Sequence, residues 1–124
     1  MPVDIVISVA GEAVFAELND SETALEIARK LPIETDFNTW GDEIYFSIPV
    51  KVGSENGKEI VQMGELGYWP PGNAFCIFYG ATPGSTEDKI RPASPVNPIG
   101  FVKGDPKIFK TLVRKSNSIK LQQP

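Results

Sequence analysis

Residues 64–85 read GELGYWPPGNAFCIFYGATPGS, and this stretch says most about the fold and the candidate site. Five aromatic residues stand here among five glycines and three prolines. Prolines hold φ near one value and glycines reach angles that other residues avoid, so the chain follows a constrained path. Residues 74–79 carry apolar side chains on both faces, which is typical of a central strand. Aromatic groups on such a path either fill a core or line a pocket.

On both sides of this stretch, alternating apolar residues predict further strands. Together with 74–79 the predicted strands are 3–10, 13–18, 33–37, 43–52, 58–63, 99–103 and 119–121. Residues 21–31 and 106–115 show helical apolar spacing with capping residues before them. About eight strands and two short helices predict a mainly β fold, a closed antiparallel barrel with capping helices. We expect residues 1–124 to form a single domain, with 82–98 as a long surface loop.

Composition excludes several kinds of function. The chain has no histidine, which removes the commonest metal ligand and the commonest general base. Its single cysteine, Cys76, cannot form an internal disulfide, and we expect a buried, unreactive thiol. A net charge of −4 argues against a nucleic-acid partner. We therefore expect no metal and no cofactor.

Hydropathy argues against a membrane partner. No apolar run approaches the roughly 18 residues that a membrane helix needs. The first residues, Met1-Pro2-Val3-Asp4, lack the basic region and apolar core of a signal peptide. We therefore expect a cytoplasmic protein, while the sequence leaves its oligomeric state open.

Three motifs resemble the cyclophilin family. IGFVKG at residues 99–104, followed by a helix from Asp105, is similar to the strand, turn and second capping helix of cyclophilins. GNAFCI at 72–77 resembles the strand that floors the cyclophilin proline pocket, and YFSIP at 45–49 resembles the strand that bears the catalytic arginine. The phrases GDEIYFSIPV, GELGYWPPGNAFCIFYGATP and PASPVNPIG are similar to those of short prokaryotic cyclophilin-like proteins, over nearly the whole chain.

The resemblance implies a barrel but departs from the cyclophilin site. Cyclophilins isomerise prolyl bonds across a barrier of about 20 kcal/mol by binding the twisted amide best. Ser47 stands where the family arginine is expected, and its short neutral hydroxyl cannot reproduce a guanidinium fork. Val96 or Asn97 stands where the family histidine is expected, and Gln62 is similar in place to a glutamine of that site.

The candidate site is an aromatic cleft. Tyr68 and Trp69 precede Pro70-Pro71 in what we predict to be a loop, where a large aromatic group can line a wall. Trp40 is a weaker candidate of the same kind. The residues predicted to form the cleft are Phe46, Ser47, Gln62, Tyr68, Trp69, Phe75 and Phe78.

A structural interpretation competes with each of these candidates. The three phenylalanines suit a barrel core, and Trp69 could plug one end of the barrel. Gln62 could be exposed or make an interior hydrogen bond. Asn97 is more typical of a residue that orders its loop.

Two functional classes remain. One is a binding module that holds a small molecule or an extended, proline-containing peptide in the cleft. The other is an atypical prolyl isomerase that works by apolar desolvation with help from Gln62. A catalytic carboxylate pair is not favoured, because the acidic residues have no partner nearby in the sequence. Those acidic residues are Asp42, Glu43, Glu65 and Asp88.

Overall fold

The computed structural model describes residues 2–124, and within them nine antiparallel strands form one sheet. The strands are β1 Val3–Val9, β2 Glu12–Leu18, β3 Ile33–Asp36, β4 Asn38–Thr39, β5 Glu43–Ser47, β6 Glu65–Trp69, β7 Ala74–Phe78, β8 Asn97–Val102 and β9 Ser118–Gln122. Their order in the sheet is β3-β9-β1-β2-β8-β6-β7-β5-β4. The two end strands, β3 and β4, follow each other in the chain with only Phe37 between them. The sheet therefore curls into a nearly closed barrel.

The predicted barrel is confirmed, with nine strands in place of eight. The predicted strand 33–37 continues after Phe37 into the short β4. Residues 65–69 form β6 and pair with both β7 and β8, so Tyr68 and Trp69 lie in a strand and not in the predicted loop. Residues 58–63, predicted as a strand, belong to none of the nine. Their β-type pairing consists of isolated bridges, Lys58 to Val96 and Val61 to Ile90. Strand 43–52 also ends early, at Ser47.

Two short helices accompany the barrel, as the sequence predicts. The first, α1, spans Glu22–Lys30, and the Ser21 side chain caps it by accepting from the Ala24 amide at 3.1 Å. The second begins as a 3-10 turn at Pro106–Ile108 and continues as α2, Phe109–Leu112. It is shorter than the predicted 106–115. None of the helices within residues 2–124 has the length and apolar character needed to span a bilayer.

The segment from Gly53 to Gly57, between the predicted strands 43–52 and 58–63, is hydrogen-bonded to α1. The Glu55 carboxylate accepts from the Thr23 amide at 2.9 Å and from the Thr23 hydroxyl at 2.7 Å. The buried Asn97 accepts from the Glu55 amide at 2.8 Å and donates to the Gly53 carbonyl at 2.9 Å. Asn97 thus orders the neighbouring loop through its side-chain hydrogen bonds, in line with the structural interpretation of this residue.

Part of the barrel wall is covered by apolar side chains on its outer face as well as on its inner face. The main core fills the interior and includes buried side chains of every strand from β1 to β9 except β4. A second cluster lies on the outer face of β5, β7 and β6, where residues 58–63 and 82–96 pack against these strands. We call it the outer cluster, and it consists of Val61, Ala74, Cys76, Phe78, Ile90 and Val96. All five residues of β7 are therefore buried, as expected for a central strand.

Candidate binding pocket

The candidate site lies on the outer face of the barrel, at the edge of the outer cluster. Successive residues of a strand point to opposite sides of the sheet. In β5, Ile44 and Phe46 belong to the barrel core, so Glu43, Tyr45 and Ser47 face outward. The same alternation in β6 directs Tyr68 inward and Trp69 outward.

A pocket of about 210 Å³ opens on this outer face. Its walls are largely aromatic and its single charged lining residue is a glutamate. The lining residues are Trp40, Glu43, Tyr45, Trp69, Pro92 and Ala93. Strands β5 and β6, the turn after β4, and the surface loop 82–96 all contribute to it.

Trp69 is held in place from two sides. Its indole Nε1 donates to the Ser94 hydroxyl at 2.6 Å, which links β6 to the surface loop. Gly72 lies against the six-membered ring, and a Cβ at this glycine would stand 2.8 Å from Cε3 of the indole. The ring is therefore fixed by a hydrogen bond on one edge and by backbone packing on another.

The surface loop that supplies Pro92, Ala93 and Ser94 is ordered by its own hydrogen bonds. The Thr82 hydroxyl donates to the Arg91 carbonyl, and the Ser85 hydroxyl accepts from the amides of Thr82 at 2.9 Å and Arg91 at 3.2 Å. The loop also packs against the other indole of the pocket, since a Cβ at Gly84 would stand 3.4 Å from Cη2 of Trp40. Both indoles thus rest against glycines.

Glu43 supplies the carboxyl group of the pocket, and the residue is only 6% exposed. Burial raises the pKa of this carboxyl from 4.5 to about 7, although a hydrogen bond with the Cys76 thiol acts in the opposite direction. The pKa of Cys76 is raised well above its usual value, first by burial and then by the charge of Glu43. Within residues 2–124, no lysine or arginine pairs with the Glu43 carboxylate. Among residues 2–124, this buried carboxyl group therefore has no cationic side chain as a counter-ion.

The structure places most of the predicted cleft residues elsewhere. Phe46 and Phe75 stack inside the barrel with ring centroids 5.3 Å apart. Tyr68 is fully buried in the same core, and its hydroxyl donates to the Val50 carbonyl at 2.5 Å. Phe78 lies on the outer side but is completely covered within the outer cluster.

These positions correct the predicted geometry of the site. Tyr68 and Trp69 do not form one wall, because adjacent residues of a strand face opposite sides of the sheet. Phe46 and Phe75 face the barrel interior and form no floor for an outer pocket. Core packing is the interpretation that their burial supports.

Ser47 and Gln62 are both exposed and lie outside the pocket lining. The Ser47 hydroxyl donates to the Gly72 carbonyl at 3.0 Å, next to the backbone that supports Trp69. Gln62 lines a separate groove with Ile60 and Met63. Of the seven predicted residues, Trp69 is the one that lines the pocket.

Sequence reasoning missed Glu43, Tyr45, Pro92 and Ala93 as pocket residues. A usable signal was present for Glu43. Strand β7 is apolar on both faces, which implies a covered outer side, and Glu43 faces that same side from the neighbouring strand. A carboxyl group beneath such a cover is expected to be buried.

The pocket does not resemble a metal centre. Within residues 2–124, no group of three or more histidine, cysteine, aspartate or glutamate residues is placed to hold a metal ion. What the arrangement offers chemically is a set of aromatic surfaces and one carboxyl group whose charge is sensitive to its surroundings.

A nearly closed antiparallel barrel with two short helices is the fold expected from the cyclophilin resemblance. The chain belongs to the cyclophilin-like family, whose family model matches residues 1–122. It is also similar to the solution structure of the hypothetical protein AF2241 from Archaeoglobus fulgidus, with 36% identity and a TM-score of 0.75. That match covers 98% of this chain and 95% of the other. A comparison with curated proteins gives no match.

Proposed function

We propose that this protein is a binding module whose ligand, a small molecule or one side chain of an extended peptide, occupies the pocket beside Trp69. The observation that carries the proposal is the convergence of Trp40, Tyr45 and Trp69, all half-buried, on one open cavity. Ligand sites are typically concave and aromatic, with a few polar groups that fix orientation. Glu43 supplies such a polar group.

The fixed position of the walls supports binding. A side chain that is already immobile loses little conformational entropy when a ligand arrives. Trp69 is immobilised by Ser94 and Gly72, and Trp40 packs against Gly84 in the hydrogen-bonded surface loop. These contacts make the pocket pre-organised.

The size of the pocket limits the ligand. Its volume of about 210 Å³ lies below the range of roughly 300–1,000 Å³ that is typical of sites for drug-sized molecules. A compact group such as a prolyl ring, a single aromatic ring or a branched aliphatic head would fill it. A longer ligand would leave its remainder in solvent.

The alternative, prolyl isomerisation, has less support in the pocket. That reaction needs a preorganised donor aimed at the twisted amide. None of the six lining residues is an arginine or a histidine. The Ser47 hydroxyl, at the position of the expected arginine, is engaged by the Gly72 carbonyl.

Nuclear magnetic resonance titration with a panel of proline-containing tetrapeptides and small aromatic fragments tests the proposal. We expect at least one class of probe to shift the indole signals of Trp40 and Trp69 together. Trp69→Ala should abolish these shifts in the remaining signals of the pocket. Phe15→Ala is a matched control, because Phe15 is 55% exposed and lies outside this pocket. Shifts that map only to the groove around Gln62 and Met63 would overturn the proposal.

A further inference from the structure

We propose that the ligand of this pocket carries a positive charge, and that the pocket recognises an organic ammonium group through its three aromatic rings and the Glu43 carboxylate. This inference rests on the proposed function and specifies the chemistry of the ligand. It is carried by the composition of the walls, by the size of the cavity and by a buried carboxyl group that has no lysine or arginine partner within residues 2–124.

The walls suit a cation. The faces of aromatic rings attract ammonium groups, and indole does so most strongly of the natural side chains. Two of the three rings that line the pocket, Trp40 and Trp69, are indoles, and the third is the phenol of Tyr45. Several aromatic rings around one cavity are the arrangement that recognises quaternary ammonium ligands.

The carboxyl group supplies the complementary charge. A buried carboxylate is stable only when a cation or several hydrogen bonds compensate its lost hydration. Glu43 is 6% exposed, lines the cavity and, within residues 2–124, has no lysine or arginine partner. An ammonium group in the cavity would provide the missing counter-ion.

The size of the cavity favours a compact cation. About 210 Å³ admits a methylated ammonium head or a protonated amine with a few carbons. A guanidinium group on a long chain would place only its head inside. The net charge of −4 of the whole chain adds a weak long-range attraction for cations.

The titratable and charged groups around Glu43 come from β7, β5, β6 and the surface loop. The Cys76 thiol, from β7, has a pKa raised well above its usual value and stays protonated. The Tyr45 phenol lies on the same outer face of β5. Glu65, across β7, is already paired with the Lys58 ammonium at 2.9 Å. Arg91, before the lining residue Pro92, donates through Nε to the Thr86 hydroxyl.

A cation should therefore bind more tightly as pH rises. Glu43 is protonated below about pH 7 in the empty pocket, and a cation binds the ionised form. Affinity should fall about tenfold between pH 8 and pH 6, because at pH 6 only about a tenth of the carboxyl groups is ionised. A ligand that instead accepts a hydrogen bond from the protonated carboxyl would show the opposite trend.

The test compares choline with its neutral isostere 3,3-dimethylbutan-1-ol, using the two indole N–H signals of the full chain. We expect choline to shift both signals and to bind at least tenfold more tightly than the alcohol at pH 8. We also expect this preference to shrink about tenfold at pH 6. The wild-type pH profile decides the question even if a variant fails to fold.

Glu43→Gln should keep the shape of the side chain and abolish both the preference for choline and its pH dependence. Glu12→Gln is the matched control, because Glu12 is exposed on β2 and lines no part of this pocket. Equal binding of the two probes would overturn the inference while leaving the binding module in place. Binding of neither probe would also overturn the inference. The separate titration with peptides and fragments would then show whether the protein is a binding module.

Discussion

The indole of Trp69 and the hydroxyl of Ser94 are joined by a 2.6 Å hydrogen bond that connects the barrel wall to the surface loop. This contact joins a strand residue that the sequence singled out to a loop residue that it did not. Because Trp69 lines the pocket and Ser94 directly follows the lining residue Ala93, the bond fixes the relative position of two walls.

We expect Ser94→Ala to loosen Trp69 without unfolding the barrel. Loss of the acceptor should cost about 1 kcal/mol, since the half-buried N–H can partly regain a bond to water. Tryptophan fluorescence anisotropy should fall and ligand affinity should decrease. Ser54→Ala, in an exposed loop, should change neither quantity. An unchanged anisotropy in Ser94→Ala would mean that packing alone holds the ring.

We expect Gly72→Ala to displace the indole. The added methyl group would stand 2.8 Å from Cε3 and 2.9 Å from Cζ3 of Trp69, so one of the two residues must move. Such overpacking typically costs about 1–3 kcal/mol. Urea unfolding would measure the loss, and a changed tryptophan emission maximum would report the displacement.

Gly53→Ala is the matched control for this substitution. A Cβ at Gly53 meets no atom within 4 Å. Its unfolding free energy should stay within about 0.5 kcal/mol of the wild type, as is usual for surface substitutions. Equal losses in the two variants would rule out the indole as the cause.

Burial of Glu43 should make stability depend on pH. The folded-state pKa of about 7 lies above the ordinary value of 4.5, so the folded protein binds the proton more tightly than the unfolded chain. The corresponding stability is fully present below pH 4.5 and is lost as pH rises through 7. The loss should be about 3 kcal/mol between these limits.

Urea unfolding of the wild type and Glu43→Gln from pH 4.5 to 8 would measure this contribution. The difference between the two proteins should change by about 3 kcal/mol in favour of the variant as pH rises. Glu12→Gln should follow the wild type at every pH. Parallel curves for the wild type and Glu43→Gln would show that the carboxyl is solvated in solution.

We expect prolyl isomerase turnover to be absent or far below that of arginine-bearing cyclophilins. Removing one preorganised donor typically lowers a rate by roughly a hundredfold or more, and a serine stands at the position of the expected arginine. Magnetisation exchange on an Ala-Pro tetrapeptide would measure turnover directly. Turnover that purifies with the protein and falls in Trp69→Ala would contradict this expectation.

The barrel could be predicted because most of its strands show a strand pattern in their own sequence. The alternation in 3–9 and 12–18 follows from one solvated and one buried face, and residues 74–79 are apolar on both faces because both are covered. The loop predicted for Tyr68 and Trp69 is wrong, because Gly67 and the prolines after Trp69 are typical of a loop although the segment is a strand. Only pairing with β7 and β8 makes this segment a strand.

The pocket was harder to predict because it, too, depends on strand pairing and on contacts between distant segments. The side to which Trp69 points depends on the assignment of its segment as a strand, and a loop assignment leaves Tyr68 and Trp69 on one wall. Glu43 shares the pocket with Pro92 and Ala93 of the surface loop, which are distant in the sequence, so its surroundings are set by tertiary contacts. The local sequence singled out Trp69 and, more weakly, Trp40, and both line the pocket. Tyr45, Pro92 and Ala93 line it as well, and nothing in their local sequence indicated this.

The separation of the outer cluster from the barrel core makes one wall of the pocket replaceable. Residues 80–98 contribute nothing to the main core, although they supply Pro92 and Ala93 to the pocket. A relative's loop could replace 82–96 and alter ligand preference while the barrel keeps its own stabilising contacts. Circular dichroism of such a chimera would measure whether the barrel is still folded, and ligand titration would measure its ligand preference. The architecture thus allows new specificities to arise by loop replacement on an unchanged scaffold.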